Sequence, residues 1–399
     1  MKVLIAGGGI GGLTAALCCL HHGHDVTVFE HAAELGEVGA GIQVPPNAMK
    51  VFEALAIDGL IAENAFRPEA IEARMGESGR PIFTIPLAQR AVDMWGSPYL
   101  HIHRADYISA LKQALAHRAP QALQLGAAVT GYRNQPNGVT LFLKDGREIS
   151  ADVLIGADGI KSVIRERMLG PDTPHFTGNI AWRAVVPIEA LGPHAPNPTA
   201  CVWMGRGRHA VTYRLRKGEL ANFVGVVERD DWTSEGWAEK GHRNEALKDF
   251  EGWHPAITTL IEAAPPDALF RCALFDRAPL PRWVDAHVAL LGDAAHPMLP
   301  FMAQGAAMAA EDSWALAREI SQKDRPIETS LTAYQNSRIA RTSKAQSGSQ
   351  ANMKTFHQRT KLGQIKTYGP MWLAGKLAPA AVHKRMDWLY GHDVTRKTV

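Results

Sequence analysis

A short apolar run, Lys2 to Ala6, leads straight into Gly7-Gly8-Gly9-Ile10-Gly11-Gly12, and no other stretch of the chain restricts its fold as strongly. The run reads as a buried strand, and the glycines at 7, 9 and 12 have the G-x-G-x-x-G spacing. Gly7 permits a tight turn, Gly9 lets the backbone approach a pyrophosphate, and Gly12 lets the following helix sit close on the sheet. That helix reads Leu13 to His22, and its free N–H groups and partial positive charge suit an anion. Asp25 to Glu30 reads as a second strand, ending on an acid where a ribose hydroxyl needs an acceptor. The distance from Gly12 is close to the ~20 residues expected. Strand, glycines, helix, strand and acid in that order predict a dinucleotide site, where the glycines alone would be weak. A secretory leader over Met1 to Leu20 is rejected: the glycines keep the fingerprint spacing, a strand follows, and there is no polar cleavage region.

At 399 residues the chain can hold two domains, or one large domain with an inserted sheet. Its 46% hydrophobic and 21% charged residues are those of a soluble globular protein. A net charge of +3 from scattered basic residues could assist an anionic substrate, but it is no nucleic-acid signature. No apolar run reaches ~18 residues without a glycine, so no membrane span is expected. Cys18, Cys19, Cys201 and Cys272 form no C-x-x-C and no metal spacing. The expectation is no metal and a reducing cytoplasm. Cys201 is a candidate for a pocket wall, set against the plainer reading of a small core hydrophobe. The tail Arg396-Lys397-Thr398-Val399 reads as a frayed, solvated end.

After the opening unit, Gly36 to Gly41 is a glycine-rich loop, and Asn47 to Leu55 and Ala105 to His117 read as helices. Val139 to Leu143 and Glu148 to Leu154 form a hairpin around the turn signal Asp145-Gly146. From Asn179 to Val227 the text becomes strand-rich, alternating at Ala210 to Leu215 and Ala221 to Val227. Pro326 to Val399 reads as mostly helical, with a break at Gly369-Pro370.

Two later motifs carry chemistry. Asp152 to Ala157 is an apolar strand ending in Asp158-Gly159, with a basic, helix-like Ile160 to Arg167 beyond it. Val288 to Leu291 runs into Gly292-Asp293-Ala294-Ala295-His296-Pro297. Alone, the first is a common turn and the second a simple helix cap. In this order behind the glycine fingerprint, the set resembles the class A flavoprotein aromatic hydroxylases, the group around salicylate hydroxylase, 3-hydroxybenzoate 6-hydroxylase and 6-hydroxynicotinate 3-monooxygenase. Further similar pieces are Gly36-Glu37-Val38-Gly39-Ala40-Gly41-Ile42, Pro46-Asn47, His103-Arg104-Ala105-Asp106, Met302-Ala303-Gln304-Gly305-Ala306-Ala307-Met308 and Asp387-Trp388-Leu389. The resemblance covers nearly the whole chain.

It implies an α/β fold: a Rossmann-type FAD-binding domain with an inserted mixed β-sheet substrate domain and a helical C-terminal region. The segments would be 1–178 and 276–330 for the FAD-binding domain, 179–275 for the inserted sheet, and 331–399 for the helical end. It also implies that Gly7, Gly9, Gly11 and Gly12 hold the FAD pyrophosphate and Glu30 the ribose, with His31 and Gln43 in the same contact set. Arg104 adds a cation, Val129 lies beside the adenine, Asp293 binds the ribityl chain, and Asp158 serves FAD and a passing nicotinamide. A helix starting near Gly305 and Ala306 would aim its N–H groups at the flavin pyrimidine edge, where reduction places negative charge. A single glycine fingerprint suits an enzyme that NADH or NADPH visits without a domain of its own.

The implied reaction is reduction of FAD by NAD(P)H, addition of O2 to give a C4a-hydroperoxide, and transfer of OH to a small phenolic ring. The protein must favour the phenolate and exclude water. His209 and Tyr213 fit the first need, because spacing four in a strand puts them on one face. Pro297, Phe301 and Cys201 are the candidate substrate contacts, and Arg183, Arg206 and Arg214 are the candidates for a substrate carboxylate, with no choice among them. The chain departs from the hydroxynicotinate type by carrying Gln43 and Phe301 where those relatives have histidines, which favours a benzenoid acid over a pyridine. The expectation is therefore a salicylate-like or hydroxybenzoate-like substrate. A larger phenolic or quinone-like substrate is the alternative, and a flavin-binding redox or interaction protein without hydroxylation is the reading from another class. By analogy with relatives, a homodimer is expected.

Overall fold

A computed structural model describes residues 1–36, 40–229 and 239–396. Glu37-Val38-Gly39 of the glycine-rich loop and Lys397-Thr398-Val399 of the tail lie outside the described residues. Lys2–Ala6 is a central strand of a six-stranded sheet, with Val153–Gly156, Val288–Leu290 and Val284–Asp285 on one side and Asp25–Phe29 and Leu123–Gln124 on the other. All pairings are parallel except that of the short edge strand Val284–Asp285. The helix Ile10–His21 and the three-stranded antiparallel sheet of Val129–Gln135, Gly138–Leu143 and Glu148–Ala151 pack against this sheet, so Val3, Leu4, Ile5 and Ala6 are fully buried, as the continuous apolar run requires.

The helix Ile10–His21 leaves the glycine turn and packs against the helix Gly305–Ile320, with Gly11 facing Leu291 and Ala309. Two glycines are demanded by space. A Cβ on Gly12 would stand 1.9 Å from the Gly7 carbonyl oxygen, and Gly7, at φ +102°, would place its own 2.4 Å from that of Ala157. Gly9 has nothing within 4 Å, so its small size serves whatever lies above it.

The second sheet is mixed and has eight strands, in the order Glu239–Lys240, Phe270–Asp276, His175–Pro187, Leu220–Glu228, Arg208–Leu215, Ala200–Gly205, Ala70–Met75 and Pro81–Pro86. Its last two strands come from far upstream of residue 179, joined through the parallel pairing Ala200↔Ile71. One face packs Trp182, Phe223, Phe250 and Trp253 under the helices Arg243–Asp249 and Pro255–Ala263. The other turns toward the nucleotide-binding sheet.

Two local expectations are corrected. The strand expected over Glu148 to Leu154 divides: Glu148–Ala151 stays in the hairpin, and Val153–Gly156 joins the parallel sheet. A run of apolar residues cannot mark where one sheet hands over to another. The helix Lys361–Leu377 also runs through Gly369-Pro370. Proline removes one helical hydrogen bond and crowds the carbonyl four residues back. Here Tyr368 is buried beside Ala73, Ile82 and Met204 and donates its hydroxyl to the Phe356 carbonyl at 3.0 Å, so packing on the sheet holds the helix together. The interruption falls after the long helix Ile327–Phe356 instead. Among the described residues, no helix is long and apolar enough to cross a membrane.

Candidate active site

A cavity of about 330 Å³ opens between the glycine turn, the sheet face and the start of the helix Gly305–Ile320. Gly9, Gly11, Gln43, Arg104, Asp293, Gly305 and Ala306 of the expected cofactor contacts line it, as do His209, Tyr213 and Phe301. Gly7 and Gly12 shape the turn from behind. Glu30 and His31 stand beside that turn and Val129 lies beyond them, all three outside the cavity wall. The Glu30 carboxylate accepts hydrogen bonds from the Gly8 amide at 2.7 Å and the Ala32 amide at 2.9 Å, and exposed His31 pairs with it at 2.7 Å. A carboxylate has about four lone-pair sites, so acceptor capacity remains for a hydroxyl.

Asp158 has structural employment. Its carboxylate accepts from the Ser162 hydroxyl at 2.5 Å and from the Ile164 amide at 3.1 Å, while Ser162 caps the helix Val163–Leu169 through the Arg165 amide. Burial raises the Asp158 carboxyl pKa, and these hydrogen bonds oppose the rise. The result is a stiff loop whose Ala157 and Gly159 face the cavity.

Asp293 follows Gly292, whose φ of +58° turns the chain out of the strand Val288–Leu290. Its side chain reaches into the cavity while protein surrounds it elsewhere. Burial raises its carboxyl pKa against the pull of His296, Arg104 and Arg165. At the mouth of the helix Gly305–Ile320, no side chain caps the N-terminus. The Gln304 amide nitrogen is buried on the cavity wall with no protein partner, and its carbonyl oxygen accepts from Asn47 at 3.2 Å. Two uncapped helix N-termini, an open Gly9, an acid and an unpartnered amide donor fit an extended ligand that carries phosphates, hydroxyls and a polar ring.

A buried ionic network holds this wall, and the sequence reading did not anticipate it. Asp312 accepts from the Gly292 amide at 3.1 Å, pairs with His296 at 2.5 Å and with Arg338 at 2.8 Å. Glu311 pairs with Arg338 and Arg341, each at 2.7 Å, and accepts from Asn47 at 2.7 Å. Adjacent acids inside an otherwise small and apolar helix were the available signal.

The sheet face supplies the reactive wall. His209, Val211 and Tyr213 alternate outward from Arg208–Leu215, and Val224 and Val226 do so from the neighbouring strand. Tyr213 is pressed on Gly41, where a Cβ would stand 2.4 Å from the ring, and burial pushes its hydroxyl pKa well up. His209 lies between the rings of Phe301 and Phe356, with centroids at 4.9 and 5.1 Å, and its Nδ1 meets Nε2 of His357 at 2.7 Å. Burial, then His357, hold its pKa well below the ordinary value.

A second cavity of about 370 Å³ lies between the sheet and the C-terminal helices. It shares Gln43, Val211, Pro300, Phe301 and Ala303 with the first. Cys201, an expected substrate contact, belongs to the strand at its edge, but its side chain lies with that of its pairing partner Thr212 on the opposite sheet face, in the core of Trp182 and Phe223, while Val202 next to it pairs with Val211 on the cavity face. Pro297 lines neither cavity; its carbonyl accepts from Gln346 at 2.9 Å. Of the three candidate arginines, Arg183 lines the first cavity; Arg206 is exposed, and Arg214 donates to the Pro196 carbonyl at 2.8 Å. Among the described residues, no His, Cys, Asp and Glu group is placed to hold a metal.

Comparison with known proteins places the chain in a family. The FAD binding domain family matches residues 1–349. The chain is 36% identical over 400 residues to 3-hydroxybenzoate 6-hydroxylase 1 of Aquipseudomonas alcaligenes, covering 99% of each chain. It is 36% identical over 397 residues to 6-hydroxynicotinate 3-monooxygenase of Pseudomonas fluorescens, covering 98% of this chain and 95% of the other. Among solved structures, Klebsiella pneumoniae HpxO with FAD and uric acid superposes with a TM-score of 0.86 at 28% identity, over 98% of this chain and 97% of that one. A salicylate hydroxylase substrate complex gives 0.82 at 28% identity, over 99% and 96%. The chain belongs to the FAD-binding-domain family, with flavin-dependent aromatic hydroxylases and monooxygenases as its relatives.

Proposed function

We propose that this chain hydroxylates a phenolic monoaromatic acid, salicylate-like or hydroxybenzoate-like, using FAD, O2 and NADH or NADPH. The observation that carries the reading is the placement of His209 and Tyr213 on one strand face, in a cavity wall that also holds Arg183 and Phe301. FAD, when bound, supplies the redox chemistry, taking a hydride from the nicotinamide and activating O2. Gly9, Gly11, Arg104 and Asp293 would hold it, with Gln304 and the amides of Gly305 and Ala306 at its polar ring edge. The positive end of that helix favours negative charge there by about 0.3 to 1 kcal/mol, and more in a partly buried setting.

The chain's own residues prepare the ring. His209 accepts the phenolic proton and Tyr213 donates a hydrogen bond to the resulting oxyanion, both within one apolar enclosure. Phe301, Val211, Val224, Val226 and Leu299 keep water from the reacting centre. Arg183 balances the substrate carboxylate, whose desolvation would otherwise be costly. The same reading assigns Asp158 a second duty toward the nicotinamide and keeps the division 1–178, 179–275, 276–330 and 331–399 as the domain plan, with the substrate sheet borrowing two upstream strands. It makes the protein cytoplasmic, supported by four free, buried cysteines, and dimeric through the C-terminal helices, supported by the exposure of Ile365, Leu373 and Leu377.

A larger phenolic substrate is the second reading, favoured by the cavity beyond Phe301. The purified holoprotein decides between them: NADH and NADPH oxidation is followed with salicylate, 3- and 4-hydroxybenzoate and 6-hydroxynicotinate, and products are weighed by mass. One acid that triggers oxidation and gains an oxygen supports the first reading. Bound flavin with no response to any of them moves the assignment to the larger ring, and a protein that binds no flavin removes both.

A further inference from the structure

We propose that His357 and Glu228 continue from His209 as a proton path from the substrate cavity to the protein surface. The path rests on the reading that His209 takes the phenolic proton. Its three members come from three elements: the strand Arg208–Leu215, the residue after the helix Ile327–Phe356, and the end of the strand Leu220–Glu228. His209 Nδ1 to His357 Nε2 is 2.7 Å, and His357 Nδ1 to Glu228 Oε1 is 3.1 Å. Exposure rises along the line: 1% at His209, 5% at His357 and 26% at the Glu228 side chain, which pairs with Arg359, itself 76% exposed. The series begins at a cavity wall and ends in water.

The hydrogen-bond partners dictate the direction. A carboxylate only accepts, so His357 donates from Nδ1, its Nε2 is a bare acceptor, and His209 must donate from Nδ1 into it. His209 Nε2 is thereby left unprotonated on the cavity side. Two buried imidazoles in place of apolar side chains cost desolvation, and their mutual hydrogen bonding offsets it. The charged and titratable groups facing the line are Tyr213 and Arg183 at the cavity, and Arg359 at the outer end.

The transfer balances without electrons. The phenolic O–H breaks as an N–H forms at His209 Nε2; the Nδ1 proton passes to His357 Nε2; the His357 Nδ1 proton passes to Glu228. Phenol and carboxylate become phenolate and carboxylic acid, and the surface acid releases its proton to water. Return of one proton to the hydroxylated product runs the same steps backward and restores both tautomers.

The test uses the FAD-loaded holoenzyme and the variants His357→Gln, Glu228→Gln and Glu228→Asp. Glutamine at 357 keeps a hydrogen bond but cannot accept and pass a proton. Stopped-flow mixing with salicylate or 3-hydroxybenzoate follows phenolate absorbance and proton release to a pH dye. The expected result is phenolate formation slowed at least about 10-fold in His357→Gln and Glu228→Gln, rescue by Glu228→Asp, and KM and FAD affinity within about twofold of the parent. Unchanged phenolate rates in both glutamine variants, with the acid still bound, overturn the path. If the parent enzyme forms no phenolate with either acid, the substrate reading fails, and nitrogen-15 NMR of labelled histidines then decides the path separately. Neutral, Nδ1-protonated rings at 209 and 357 that lose this order in Glu228→Leu, which removes the acceptor, sustain it; tautomers indifferent to that loss overturn it.

Discussion

Arg338 Nε lies 2.8 Å from Asp312 Oδ1 in the interior of the protein, with neither side chain reaching water. Asp312 in turn holds the Gly292 amide and His296, so this ion pair stands directly behind the loop that presents Asp293.

Removing one partner leaves an uncompensated buried charge, and Arg338→Met is expected to cost about 3–5 kcal/mol in urea unfolding. Burial pushes the Glu311 and Asp312 carboxyls up, yet Arg338, with Arg341 on Glu311 and His296 on Asp312, outweighs it and holds each at about 2, from ordinary values of 4.5 and 3.8. Depressed carboxyl values mean stabilisation that is complete above the ordinary values and is lost as pH falls through them toward about 2. An acid titration of the parent should show this loss, and Glu311→Gln should be destabilised already at neutral pH with a flatter acid limb. A parent curve no steeper than that of Glu311→Gln contradicts the assignment.

Gly9 and Gly12 should respond oppositely to the same substitution. Gly12→Ala forces a methyl against the Gly7 carbonyl oxygen and should lower the melting temperature of the protein even without flavin. Gly9→Ala meets open space at an ordinary φ of −74°, so it should fold normally and weaken FAD by about tenfold or more, seen by flavin fluorescence titration. Equal FAD affinity in Gly9→Ala and the parent would place the pyrophosphate elsewhere.

His209→Asn should retain yellow holoprotein while product formation falls by about 10²-fold or more, with the difference appearing as hydrogen peroxide. Tyr213→Phe should reduce product less steeply, because it removes a hydrogen bond and not the base. Oxygen-electrode traces with and without catalase measure both, and full coupling in His209→Asn would exclude it as the base.

Arg183→Met should raise KM for a phenolic acid by about tenfold or more while leaving kcat for an uncharged phenol of similar size unchanged. Equal losses for the acid and the neutral phenol would mean that Arg183 supports the wall without reading the carboxylate.

Much of the reading depended on how far apart the partners lie. The expected helix starting near Gly305 is observed at Gly305–Ile320, and the strands around His209 and Val224 run where alternation placed them. Gly369-Pro370 looked like a break because proline chemistry is local, while the sheet that overrides it is not. Pro297 was expected at the substrate, but the neighbouring Met298 faces the cavity, a difference of one residue that no pattern in the text encodes.

By itself the sequence determined the nucleotide-binding half and the face shared by His209 and Tyr213. A strand, a glycine turn and a helix are set by residues adjacent in the chain, and side chains two and four apart in a strand share a side. Only the tertiary structure decided which acids are structural and which face the cavity, and what stands behind the reactive wall. His209 and His357 are 148 residues apart, and Asn47 and Glu311 are 264. Contacts of that span are made by packing sheets and helices together, and they leave no period along the chain to read.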